Sequence, residues 1–177
     1  MISRTIEPAD VHRQVELAAQ MELVPFRAWV LAGAPQIVAW LDEIGDAAAS
    51  RPPAPGAESV LDVLRHLVPL RRRIARVCTT LEHGAIPSPE HRTIAKLPSM
   101  AWARMGLDAS QEELRETLES LWPMTDLELR AAAFDLGPYN VKEWLAWQRL
   151  HDDEHLAEIE HAAYLLGVHG ARDRSVA

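Results

Sequence analysis

The chain has 177 residues, and 48% of them are hydrophobic, which is enough for one folded domain with a real core and argues against intrinsic disorder. The formal net charge of −8 argues against a nucleic-acid partner, because cationic side chains supply most of the affinity for a phosphate backbone. The single cysteine excludes an internal disulfide, and neither a signal peptide nor an apolar run of membrane-spanning length is recognisable. We therefore expect one domain over residues 1–177, located in the cytoplasm, with no nucleic-acid or membrane partner.

Helical periodicity recurs in four segments, whereas strand alternation and hairpin dipeptides are scarce. The first segment covers roughly residues 10–46. Pro25 and Pro35 predict a kink or a restart within it, because proline lacks the amide donor and clashes with the preceding turn. The proline- and glycine-rich run at 51–58 predicts a loop.

The second predicted helix begins at Ser59, which forms a capping-box-like pair with Asp62, and it ends near Gly84. Pro69 is expected to disturb this helix. The arginine run at 71–73 fits an exposed face, in a chain whose basic residues are otherwise dispersed.

Residues 85–109 contain several prolines and a glycine, and they predict an irregular connection with room for one short helix. The third predicted helix starts at Ser110, with Glu113 completing a capping box, and ends near Trp122.

The fourth predicted helix is capped by Asn140, with Glu143 three residues later, and it is stopped by Gly167. Four amphipathic helices of this length without strands predict an all-α fold, a four-helix bundle.

Three histidines lie on the inner faces of two predicted helices. At about 100° per residue, His151 and His155 fall inside the apolar stripe of the fourth helix, one turn apart, where a core-facing helix normally carries leucine. His66 shares the apolar arc of the second helix, nearer its edge. One divalent cation would satisfy all three imidazoles, and a buried nitrogen without a partner costs roughly 1–3 kcal/mol. The alternative is a set of core histidines bonded to carboxylates or backbone, because an H-x-x-x-H pair is common by chance.

A site with three histidine ligands leaves at least one position for water or substrate, as catalytic zinc sites do. Asp152 and Glu158 on the fourth helix are candidate general bases, and solvated or salt-bridged side chains are the alternative for both. Asp62, one turn before His66, is a candidate for orienting that ring from behind; its alternative is a capping role alone.

Two stretches carry a family resemblance: SVLDVLRHL at 59–67 and LGPYNVKEWLAWQRLHDDEHLAEI at 136–159. They resemble the DinB-like (DinB/YfiT-like) superfamily of helical-bundle metalloproteins, which has a histidine in the second helix and a Glu-Trp-Leu start of the last helix leading into H-x-x-x-H. The resemblance spans nearly the whole chain in helix order. It implies up-down-down-up connectivity with long crossovers, and it places the metal ligands on His66, His151 and His155.

The resemblance also implies a function. Relatives commonly bind zinc, nickel or iron, often form dimers, and include transferases and isomerases that depend on a low-molecular-weight thiol. The prediction is therefore a homodimeric metal-dependent enzyme for a small-molecule substrate, either a hydrolase or a thiol-cofactor-dependent transferase. A longer N-terminal segment, and Glu158 where many members carry glutamine, leave the substrate class open. The alternatives are a non-catalytic metal-binding, interaction or stress-related bundle, and a metal-free helical dimer with structural histidines.

Overall fold

The computed structural model describes residues 8–86, 97–133 and 136–168, and nearly all of the regular structure in them is helical. In chain order the elements are α1 (Pro8–Ala19), α2 (Leu23–Leu31), α3 (Gly33–Ile44), α4 (Asp46–Ala49), α5 (Val60–Glu82), α6 (Met100–Ser120), β1 (Ala131–Ala133), β2 (Leu136–Tyr139) and α7 (Val141–Leu165). The predicted all-α class is thus confirmed in its main feature, with a two-stranded sheet added.

The first predicted segment is divided into short helices, as its prolines indicated. Pro25 lies in the first turn of α2 and Pro35 in the first turn of α3. A proline is tolerated there because the first amides of a helix have no intrahelical acceptor. The loop predicted at 51–58 contains no helix or strand.

Helix α5 has the predicted ends. The Ser59 hydroxyl accepts a hydrogen bond from the Asp62 amide at 3.2 Å, and the Asp62 carboxylate accepts one from the Ser59 amide at 3.2 Å, which forms a complete capping box. The helix continues through Pro69 and ends at His83, the C-cap residue, followed by Gly84 with a φ of +73°.

Helix α6 begins earlier than predicted. Ser99 caps it and Met100 is its first residue, so the predicted start at Ser110 is wrong. Ser110 is fully buried inside the helix, and its hydroxyl donates to the carbonyl of Leu107 at 2.7 Å. A serine inside a helix can hydrogen-bond to the backbone of its own helix in this way. Ser110 and Glu113 therefore have the spacing of a capping box without forming one. Of the irregular connection predicted at 85–109, residues 87–96 lie outside the described residues.

The antiparallel pair β1–β2 was not predicted. The two strands are only three and four residues long, and Gly137 and Pro138 interrupt the second, so no alternating pattern could develop. The sheet packs beside the start of α7, where the Trp144 indole donates to the carbonyl of Ala131 at 3.2 Å.

Helix α7 also has the predicted ends. The Asn140 side chain accepts from the Glu143 amide at 2.9 Å, and the Glu143 carboxylate accepts from the Asn140 amide at 2.9 Å. Gly167, with a φ of +78°, follows the C-cap Leu166.

Helix α5 packs against α6 and α7, and α3 packs against the same two helices. The enclosed core forms two hydrophobic clusters, one around Ile74, Leu114 and Trp144, the other around Ile37, Leu64 and Ile159. Both clusters draw residues from α5, α6 and α7, so the middle turns of these helices lie between the clusters. Within the described residues, no helix is long and apolar enough to cross a membrane.

Candidate metal centre

The three histidines singled out from the sequence come together between α5 and α7. Nε2 of His151 lies 3.3 Å from Nε2 of His66 and 3.2 Å from Nε2 of His155. One ligand nitrogen from each residue lies within 4.8 Å of the other two. The predicted convergence of imidazoles from two separate helices is therefore present.

These separations fit a shared cation. Nitrogen ligands at about 2.0–2.1 Å from a tetrahedral zinc lie ~3.3 Å from one another, which matches the two measured distances. Hydrogen bonding alone satisfies the cluster poorly, because Nε2 of His151 carries either one hydrogen or one lone pair and has two nitrogen neighbours. Neutral imidazole is a ligand suited to zinc, copper, nickel and iron, so the donor set fits a divalent cation and does not select one metal.

The cluster is open on one side and buried on the other. His66 is exposed, His151 is partly buried and His155 is buried. The Trp147 ring stacks on His151, with centroids 4.9 Å apart and planes inclined by 22°. Burial, together with the neighbouring His155 and His66, lowers the pKa of His151 to about 2. His151 is therefore neutral, and able to act as a ligand, across the whole physiological pH range.

This shift predicts that the metal-free protein loses stability as the pH falls. The unfolded chain protonates His151 near pH ~6.5 and the folded chain only near pH 2, so the unfolded state binds the extra proton throughout that window. The contribution of His151 is favourable above pH ~6.5 and is lost progressively below it, with a limiting slope of about 1.4 kcal/mol per pH unit.

Urea unfolding in a chelator between pH ~7.5 and ~5 measures this slope. His151→Leu should flatten it, because leucine cannot bind the proton in either state. Equal slopes in the two proteins would contradict the assignment.

Glu158 supports the cluster from behind. Its carboxylate accepts a hydrogen bond from Nδ1 of His155 at 2.7 Å, which leaves the Nε2 lone pair of that ring directed into the cluster. The same hydrogen bond lowers the pKa of Glu158. Its observed contact is that of a positioning residue, and its role as general base stays a prediction.

Asp152, the other candidate base, lies in a buried polar layer between the two hydrophobic clusters. Its carboxylate is 1% exposed, forms an ion pair with Arg71, and accepts from the Gln148 amide at 2.8 Å. Arg71 also donates to the hydroxyl of Ser110 at 3.0 Å and to the side-chain oxygen of Gln111 at 2.6 Å. This layer ties α5, α6 and α7 together directly behind the histidines, and a catalytic role for Asp152 stays a prediction.

The layer corrects the sequence interpretation of the arginine run. Arg71 is fully buried and Arg73 is 6% exposed, so the expected exposed face is wrong for both; Arg72 is exposed and pairs with Glu113. The sequence did contain a signal that a cationic side chain is buried nearby. Asp152 lies inside an apolar stripe, and a carboxylate there needs a cationic or hydrogen-bonding partner. Nothing in the sequence pointed to Ser110 as a member of the layer.

Two buried polar atoms in this region have no hydrogen-bond partner within the described residues: Nδ1 of His151 and Oε1 of Gln148.

Asp62, proposed to orient His66, bonds through its carboxylate to Ser59 and Arg65. Those contacts satisfy the capping role, and an effect of Asp62 on His66 stays a prediction.

Fold and cluster together define a class: a helical-bundle protein with a candidate three-histidine metal centre between two of its longest helices. The family model of the DinB superfamily matches residues 33–159, a stretch that includes all three histidines. The chain belongs to the DinB superfamily, which confirms the resemblance found in its two motifs. No curated protein and no solved structure gives a significant match.

Proposed function

We propose that this chain is a metal-dependent enzyme acting on a small molecule, either a hydrolase or a thiol-cofactor-dependent transferase. One divalent cation (zinc, nickel or iron) would bind to His66, His151 and His155. The observation that carries the proposal is the spacing of their Nε2 atoms, 3.3 Å and 3.2 Å, which suits ligands around one ion.

Each residue around the centre has a definable task. Burial keeps His151 neutral, and Glu158 holds the His155 ring in the tautomer that leaves Nε2 free to bind. Trp147 covers one face of His151 and excludes water there. The exposed His66 marks the side from which a substrate or a low-molecular-weight thiol would approach. A bound ion would supply Lewis acidity, which lowers the pKa of a coordinated water or thiol towards neutrality.

One observation favours the alternative, a metal-binding bundle without catalysis that serves in interaction or stress responses. Both carboxylates considered as general bases are engaged: Asp152 pairs with Arg71, and Glu158 accepts from His155. In an enzyme, proton transfer would then depend on breaking one of these contacts or on the substrate's own groups.

The proposal also includes the connectivity of the helices, the oligomeric state and the cellular location. The contacts of α3 and α5 with both α6 and α7 support a closed four-helix bundle, for which we propose the up-down-down-up connectivity of the family. A homodimer follows the habit of relatives, and the single cysteine is compatible with the reducing cytoplasm.

Elemental analysis of the protein purified without a histidine tag tests metal binding. We expect about one ion per chain after reloading, and less than ~0.1 would reject the proposal. Panels of esters and of thiol-transfer substrates then separate enzyme from non-catalytic binder, with His155→Ala as the comparison. Turnover that survives His155→Ala unchanged would reject metal-dependent catalysis.

Glu158→Ala is predicted to weaken metal binding by about 10–100-fold, because the supporting hydrogen bond to a histidine ligand is lost. Glu158→Gln retains a carbonyl acceptor and should lose less. Competition with a chromogenic chelator measures the affinity, and Glu154→Ala, an exposed carboxylate on the same helix, is the control. Equal affinities for the two alanine variants would exclude a supporting role for Glu158.

A further inference from the structure

A concave site lies between α5 and α6, and none of the three clustered histidines lines it. It is a groove of about 490 Å³, within the range of small-molecule pockets. Its floor is closely packed, since a Cβ at Gly106 would lie 2.8 Å from a methyl carbon of Val68. The lining residues are Val68, Pro69, Arg72, Arg73, Arg76, Leu97, Trp102, Met105, Gly106 and Ala109.

The α6 wall of this groove is apolar and unusually exposed. Trp102 is 57% exposed and Met105 is 63% exposed, and they lie nearly one turn apart on the same helix. Large apolar side chains grouped on a surface, beside a concave floor of buried Val68 and Leu97, are typical of a binding site.

The α5 wall is cationic, although the chain as a whole carries a net charge of −8. Arg72 and Arg76 lie one turn apart on this wall, and Arg73 lines it as well. Arg72 pairs with Glu113, whereas Arg76 forms no ion pair with a carboxylate of the described residues and donates only a long 3.4 Å bond to the carbonyl of Arg72. The groove thus combines an apolar bed with a guanidinium available to an anion.

We propose that this groove binds a small amphiphilic anion, with its carboxylate or phosphate group against Arg76 and Arg72 and its hydrocarbon chain along Trp102 and Met105. A free molecule suits the site better than a membrane surface, because the net charge of −8 repels an anionic bilayer. The proposal is independent of the metal centre.

Titration calorimetry of the full chain with decanoate tests the proposal, with decanol and decyltrimethylammonium as ligands of matched chain length. Decanoate should bind saturably, one molecule per chain, and both matched ligands should bind at least about five-fold more weakly. Arg76→Gln should weaken decanoate binding about five-fold. Arg115→Gln, which removes a partly exposed arginine outside the groove, should leave it unchanged. Trp102→Ala should weaken decanoate and decanol alike, by roughly tenfold, through the loss of apolar contact.

Four results would overturn the proposal. Equal binding of all three ligands, or no effect of Arg76→Gln, would show that no anion is recognised. Arg76-dependent flotation of the protein with phosphatidylglycerol vesicles, without binding of free decanoate, would assign the groove to a membrane surface. A dimer that dissociates on Trp102→Ala, again without decanoate binding, would assign it to an interface between copies of the chain.

Discussion

His66→Ala is expected to lower the affinity for a divalent cation by more than about 100-fold. Removing only a hydrogen-bond partner of a metal ligand costs up to about 100-fold, and His66 is itself a candidate ligand. His66 is the only one of the three candidate ligands contributed by α5, so its removal leaves two nitrogens from one helix. The side chain is exposed, so the substitution should leave the metal-free fold nearly unchanged. Chelator competition and elemental analysis after dialysis measure the loss.

Thermal unfolding provides a second readout of the same variant. A ligand at about 1,000 times its Kd stabilises the folded state by ~4 kcal/mol, which corresponds to roughly 10 °C for a chain of this size. The parent protein should show that rise on adding the metal, and His66→Ala, if it binds about 100-fold more weakly, should show no more than about a third of it at the same metal concentration. His161→Ala, which removes an exposed histidine of α7, is the control. If His66→Ala retains the ion and the thermal shift, the ion binds elsewhere and the three-histidine centre is wrong.

Arg71→Met is expected to destabilise the fold by about 3–5 kcal/mol, because it leaves the charge of Asp152 buried without its partner. Both side chains are at most 1% exposed, so water cannot replace the lost interaction. Urea unfolding in a chelator measures the change without a contribution from bound metal.

Two controls isolate the buried charge as the cause. Arg115→Met breaks two exposed ion pairs, with Glu112 and Glu119, and should leave the stability nearly unchanged. Adding Asp152→Asn to Arg71→Met removes the stranded charge and keeps the shape that fits closely against Gly33, so it should recover at least half of the loss. A cost for Arg71→Met no larger than that for Arg115→Met would show that the pair does not stabilise the bundle.

The polar layer also bears on the metal centre. Asp152 follows His151 directly in α7, and its ion pair with Arg71 holds that turn of the helix against α5. A buried polar network is satisfied in one register of the helices, so it favours a single placement of His151 and His155 opposite His66. The layer and the histidines are therefore neighbouring parts of one arrangement.

Local sequence determined the ends of α5 and α7. Ser59 with Asp62 and Asn140 with Glu143 form the predicted capping boxes, because a cap depends on residues only three positions apart. The helical period likewise placed the ligand candidates on inner faces, since the angle between side chains on one helix follows from their spacing alone.

Contacts between distant residues decided the rest. Arg71 and Asp152 are 81 positions apart, and Arg71 and Ser110 are 39 apart. No local pattern reveals that an arginine within a charged run is buried, or that a serine lies in mid-helix with an arginine as its partner. Helical period and capping set where each helix begins and which side it presents, whereas the pairing of buried charges depends on which helices pack together, and the tertiary structure alone decides that.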